Sequence, residues 1–257
     1  MEYDLYSAFG TDSQEICSIG YTIGQGLMLM RQMPNLRRLW VRNMPSLVEG
    51  SVIDWALQEI CLVKTLTEVN LEGDCYTVSH VIDILGLPVL RSLSLIHADL
   101  RAVEWAHRAT GSISSSVNEL SMDYGWADTD GLEMFLRKVP ALQQLAICQT
   151  AGIIGAAAVK IASQLFPQLR QLDLDSLHEE AAITPNNWLS HFPSLERLTL
   201  SAIFINQTSL LYLSPTVRHI ELRWIDIPIT SLAYAIAQWN NDSAISKPRM
   251  INVLCYE

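Results

Sequence analysis

One phrase recurs nine times along the chain: apolar, two variable residues, apolar, one variable residue, apolar. It reads Leu36-Leu39-Val41, Leu66-Val69-Leu71, Leu90-Leu93-Leu95, Val117-Leu120-Met122 and Leu142-Leu145-Ile147. It continues as Leu169-Leu172-Leu174, Leu195-Leu198-Leu200, Val217-Ile220-Leu222 and, in degenerate form, Met250-Val253-Cys255. Successive first positions are 30, 24, 27, 25, 27, 26, 22 and 33 residues apart. A period of this size marks stacked units, none of which buries its apolar face alone.

Proline supports the same frame independently. It stands two residues before the first apolar position at Pro34, Pro88, Pro140, Pro167, Pro193, Pro215 and Pro248. There it ends a preceding helix and sets an extended start for a strand. Between phrases the apolar residues recur at helical spacing, predicting helices over 51–63, 77–87, 130–139, 153–166, 184–192, 208–213 and 230–239. Strand and helix alternate, so the expected fold is α/β: a right-handed solenoid, parallel sheet on the concave side, helices on the convex side.

The chain resembles leucine-rich-repeat proteins from about residue 33 onward. The usual Asn or Cys after the third apolar residue is missing: Met44, Asp74, Ala98, Gly125, Thr150, Leu177, Ile203 and Ile225 stand there. The wording Phe166-Pro-x-Leu-x-x-Leu-x-Leu174, repeated at Phe192–Leu200, resembles the irregular repeats of fungal F-box proteins. That resemblance implies substrate recruitment to a ubiquitin ligase. Residues 1–32 are too few for an F-box and lack its leucine-proline opening, so the adaptor role is not carried over. The expected organisation is an N-terminal cap over 1–32, made of edge strand, loop and helix, then a solenoid of about nine units over 33–257.

Composition narrows the function. Net charge is −10, which argues against nonspecific nucleic-acid binding. The longest nearly apolar stretch, Ala151 to Phe166, contains Lys160 and Gln164 and falls short of the ~20 residues of a membrane span. Acids at Glu2 and Asp4 do not fit a signal peptide. The five cysteines form no C-x-x-C pair, so no zinc site or disulfide framework is expected, and a reducing, cytoplasmic setting is. No catalytic or nucleotide-binding motif is present, and no cofactor or metal is expected.

In a strand the residues between the apolar positions face the other way, here the concave surface. Nine strands then present Arg38, Trp40 and Arg42; Glu68, Asn70 and Glu72; Ser92, Ser94 and Ile96; Glu119, Ser121 and Asp123; Gln144, Ala146 and Cys148; Gln171, Asp173 and Asp175; Arg197, Thr199 and Ser201; His219, Glu221 and Arg223; Asn252, Leu254 and Tyr256. Six acids and no base fall on the second to sixth of these strands, with arginines on either side. Tyr124 and Trp126 flank Gly125 in the turn after the fourth strand.

This acidic trough with basic shoulders predicts a binding face for a protein of basic or mixed charge. A stand-alone enzyme is the alternative: Glu68, Glu119, Asp123, Asp173, Asp175 and His219 would do acid–base work, such as a cyclisation, isomerisation or dehydration, on an apolar small molecule. The last strand, 250–256, leaves an edge that either lies protected by Lys247 and Arg249 or pairs with a second copy into a homodimer.

Overall fold

In the computed structural model the described residues are 15–19, 30, 33–42, 50–74, 76–102, 115–151, 155–175, 188–202, 209–223, 229–241 and 250–254. The chain forms two compact units, Met1–Ala141 and Leu142–Glu257.

The first unit holds five parallel strands paired in chain order: β1 (Glu15–Ile19), β2 (Arg38–Arg42), β3 (Glu68–Glu72), β4 (Ser92–Ile96) and β5 (Glu119–Asp123). Its helices are α1 (Gly50–Leu62), α2 (Val78–Leu85) and α3 (Thr129–Leu136). The second unit holds β6 (Gln144–Cys148), β7 (Gln171–Asp175), β8 (Arg197–Ser201), β9 (His219–Arg223) and β10 (Met250–Leu254), again parallel and in order. Its helices are α4 (Gly155–Leu165) and α5 (Ile229–Asn241). The phrase leucines are the core: Leu36, Leu39, Leu66, Leu93, Leu145, Leu172 and Leu198 are all almost wholly buried. Both units are α/β leucine-rich-repeat solenoid.

Three details differ from the sequence expectation. Where helices were expected over 184–192 and 208–213, the described residues form single 3-10 turns, Trp188–His191 and Ser209–Tyr212. Pro185-Asn186-Asn187 disfavours a helix in the first. The 22-residue repeat leaves no room for one in the second. The prolines do more than end helices: at Pro34, Pro88, Pro167, Pro193 and Pro215 each is the second residue of a β-turn. There the N–H of the first phrase residue donates to the carbonyl before the proline, as Leu36 to Met33 at 3.1 Å and Leu169 to Phe166 at 3.0 Å. Finally, the ninth phrase is framed two residues earlier than expected: Ile251 and Val253 stand opposite Ile220 and Leu222, so Met250, Asn252 and Leu254 take the outer rows. Cys255 and Tyr256 lie outside the described residues. β1 lies at the edge as expected, with Ile16 opposite Leu39 and Ser18 opposite Val41.

A side-chain ladder ties repeat to repeat. The residue just before a phrase donates to the carbonyl of the preceding phrase's first residue. Thr65 Oγ1 reaches Leu36 O at 2.7 Å, and Ser116 Oγ reaches Leu90 O at 2.8 Å. In the second unit Gln168 Nε2 reaches Leu142 O at 3.2 Å, and Thr216 Oγ1 reaches Leu195 O at 2.7 Å. These bonds occupy carbonyls that a packed turn would otherwise leave unpaired. Among the described residues no helix is long and apolar enough to cross a membrane.

Candidate functional site

Alternation along each strand leaves every second side chain on the outer face of the sheet, away from the core. In the first unit the rows across β2 to β5 are Arg38–Glu68–Ser92–Glu119 and Trp40–Asn70–Ser94–Ser121, and Ile96 stands beside Asp123. The side chain of Arg42 lies outside the described residues. Glu68 is not left without a base, because Arg38 Nε lies 3.2 Å from it. Strand register thus answers a charge that the strand-by-strand reading left bare.

Where the strands end, the chain turns through a left-handed residue. His97 (φ 65°), Tyr124 (φ 50°), Gln149 (φ 45°) and Ala202 (φ 48°) all take this conformation immediately after a strand. Such φ values are uncommon for residues other than glycine. Three of them continue the ladder: His97 N–H donates to Asp123 O at 2.9 Å, Gln149 N–H to Asp175 O at 2.8 Å and Ala202 N–H to Arg223 O at 2.9 Å. The four residues share a position and no side-chain chemistry, so nothing in their identity announces the turn.

The turns after β3, β4 and β5 enclose an open groove of about 450 Å³, lined by Asp74, His97, Asp99, Arg101, Tyr124 and Trp126. The His97 and Tyr124 rings face each other with centroids 5.5 Å apart. Between the two aromatics, a Cβ on Gly125 would stand 2.8 Å from Ala98 O, so glycine is what lets the two turns approach. Trp126 and Tyr124 are left 58% and 47% exposed. Opposite them, Arg101 Nε donates to Asp99 Oδ1 at 2.9 Å. That hydrogen bond holds the Asp99 carboxyl below the usual carboxylate range. The sequence reading named Tyr124 and Trp126. It missed Asp74, Asp99 and Arg101 as their neighbours, because these lie on the two preceding repeats.

In the second unit the rows across β6 to β10 are Gln144–Gln171–Arg197–His219–Met250, Ala146–Asp173–Thr199–Glu221–Asn252 and Cys148–Asp175–Ser201–Arg223–Leu254. Asp173, Asp175, Glu221 and Arg223 come together around the two small residues of β8. Arg223 donates to Glu221 Oε1 from Nε at 2.9 Å and lies 2.8 Å from it through Nη2. Burial pushes the Asp173 carboxyl up to about 6; the charges of Asp175 and Glu221 add to this and Arg223 opposes it. Of the six candidate acid–base residues, Asp173 and Asp175 therefore interact directly. Glu68, Glu119 and Asp123 belong to the other unit, and His219 stands one row away on β9.

The raised Asp173 value makes stability depend on pH. Its pKa is higher in the fold than the ordinary 3.8, so the native state favours the protonated acid. The contribution is complete below about pH 3.8 and is lost as pH rises through about 6. After discounting for solvent screening this is about 1–2 kcal/mol. Asp173→Asn should therefore be more stable than the parent at pH 7.5 and equal to it near pH 4. Urea denaturation of both chains across that range checks this; a difference independent of pH would refute the assignment.

No family model matches the chain, and no curated protein matches it either. Among solved structures, an internalin from Listeria monocytogenes is similar at 13% identity with a TM-score of 0.40, covering 88% of this chain and 69% of that one. The fold assignment stands on register and core, not on this likeness. The resemblance to fungal F-box repeats rests on the repeat wording alone.

Proposed function

We propose that this chain is a protein-interaction module that docks a partner of basic or mixed charge on its acidic sheet faces and on the aromatic groove of the first unit. The exposure of Trp126 and Tyr124 beside the Asp99–Arg101 pair carries the reading. Aromatic side chains flanked by polar groups are the usual anchors of protein interfaces. The scattered cysteines suit a cytoplasmic setting. Exposed Met250 and Val253 on β10 support pairing with a second copy there.

A second reading, acid–base chemistry on a small apolar molecule, is favoured by one observation. Asp173 titrates near 6, where acid and base forms are both populated close to neutral pH.

One experiment separates them: affinity capture from native extract with the parent chain and with Trp126→Ala/Tyr124→Ala, beside native mass spectrometry of the captured chain. The expected result is a protein partner bound about tenfold or more weakly by the double variant, whose circular dichroism is unchanged. A retained small molecule with no protein partner would replace the first reading with the second.

A further inference from the structure

We infer that Asp173, Asp175, Glu221 and Arg223, set around Thr199 and Ser201, form a receptor for one guanidinium group, the side chain of an arginine on a partner. Register builds the slot. Asp173 and Glu221 stand on either side of Thr199, and Asp175 and Arg223 on either side of Ser201. Adjacent strands lie about 4.8 Å apart, so the flanking side chains rise roughly 10 Å from one another at the backbone over a floor of two short hydroxyl residues. Those floor residues lie on the outer face yet are only 5% and 1% exposed.

Ser201 points to a ligand independently of the acids. Its Oγ is buried and makes no hydrogen bond. A buried hydroxyl without a partner is costly to keep, and a ligand N–H donor placed between the flanking side chains would satisfy it. Charge selects the ligand's sign: the titratable side chains that line the slot are three carboxylates and one guanidinium. Both close approaches of Arg223 go to Glu221 Oε1, and Oε2 has no hydrogen bond among the described residues. A metal ion is disfavoured, because no three His, Cys, Asp or Glu side chains among the described residues are grouped to hold one. A planar cation with several N–H donors can reach a carboxylate on each wall and the hydroxyl below at once. Guanidinium has that shape, whereas ammonium is a point charge.

This assignment deepens the docking reading and rests on it only for the origin of the arginine. Its test needs no partner protein. The intact chain is titrated with N-acetyl-arginine amide, N-acetyl-citrulline amide and N-acetyl-lysine amide, following the backbone amide NMR signals of Thr199, Ser201 and Glu221. The arginine compound should move these signals and bind at least tenfold more tightly than citrulline, which has the same shape without the charge. Ser201→Ala should weaken arginine binding several-fold, and Asp173→Asn should weaken it at pH 7.5 while keeping the fold. Equal binding of citrulline, or arginine shifts elsewhere with these three signals unmoved, overturns the site. Lysine binding as tightly as arginine overturns the guanidinium assignment. Failure here with successful partner capture refutes the receptor and leaves the docking reading standing.

Discussion

Gly131→Ala is expected to destabilise the first unit by about 3 kcal/mol, near the upper end for overpacking substitutions. The first turn of α3 crosses the chain at 100–102 so closely that a Cβ on Gly131 would stand 2.1 Å from Leu100 O and 2.8 Å from Ala102 N. Both are backbone atoms, which cannot rotate away as a side chain can. The crossing is clamped from within, because the Asp128 carboxylate caps α3 by accepting from Gly131 N–H at 2.7 Å and also accepts from Ala102 N–H at 3.0 Å. Displacing the helix would break both bonds. Segment 98–102 also carries Asp99 and Arg101, so the strain reaches the groove. Gly86→Ala is the control: its added Cβ would come no nearer than 3.2 Å to Asp83 O, and its backbone is already right-handed helical. That change should stay within about 1 kcal/mol of the parent. Urea denaturation followed by circular dichroism measures both. A Gly131→Ala chain as stable as Gly86→Ala would mean that α3 can move away at no cost.

The repeat was legible because period-2 leucines and helical apolar spacing are local patterns that every unit repeats. The first eight phrases lie on strands with the expected faces; the ninth is framed two residues earlier than its wording suggested, with Met250 on the outer row. β1 was harder to read as a repeat: Ser18 replaces the third apolar residue, and three residues before Ile16 the sequence has Ser13 in place of the first. The same alternation placed Asp173, Glu221 and Arg223 on one face. What the sequence could not supply was contact between strands 22 to 31 residues apart. Arg38 meets Glu68, and Arg101 joins Trp126 at one groove, through register and left-handed turns that no residue type announces. The burial of Ser201 is likewise a property of its surroundings in the fold, and a serine in a strand carries no mark of it.

Leu172→Ala should cost the second unit about 2–5 kcal/mol, the range for removing a buried leucine where the surroundings collapse only in part. Leu172 is fully buried on β7, with Leu145 and Leu198 opposite it on the two adjoining strands. Backbone ladders on both sides hold those neighbours at fixed spacing, so the space left behind is poorly refilled. Leu172→Met keeps the volume and should lose less than about 1.5 kcal/mol. The substitution also tests how the core governs the outer face. Asp173 follows Leu172 on the same strand, and burial is the first cause of its raised pKa. A β7 that loosens admits water to that carboxyl, so its titration midpoint should fall from about 6 towards 3.8. Carbon-13 NMR of the Asp173 carboxyl, beside urea denaturation, follows both effects in one chain. Loss of stability with the midpoint unmoved would show that Asp173 owes its environment to Thr199, Glu221 and Arg223 alone, and that the cation receptor is built by the outer rows without help from the leucine layer beneath them.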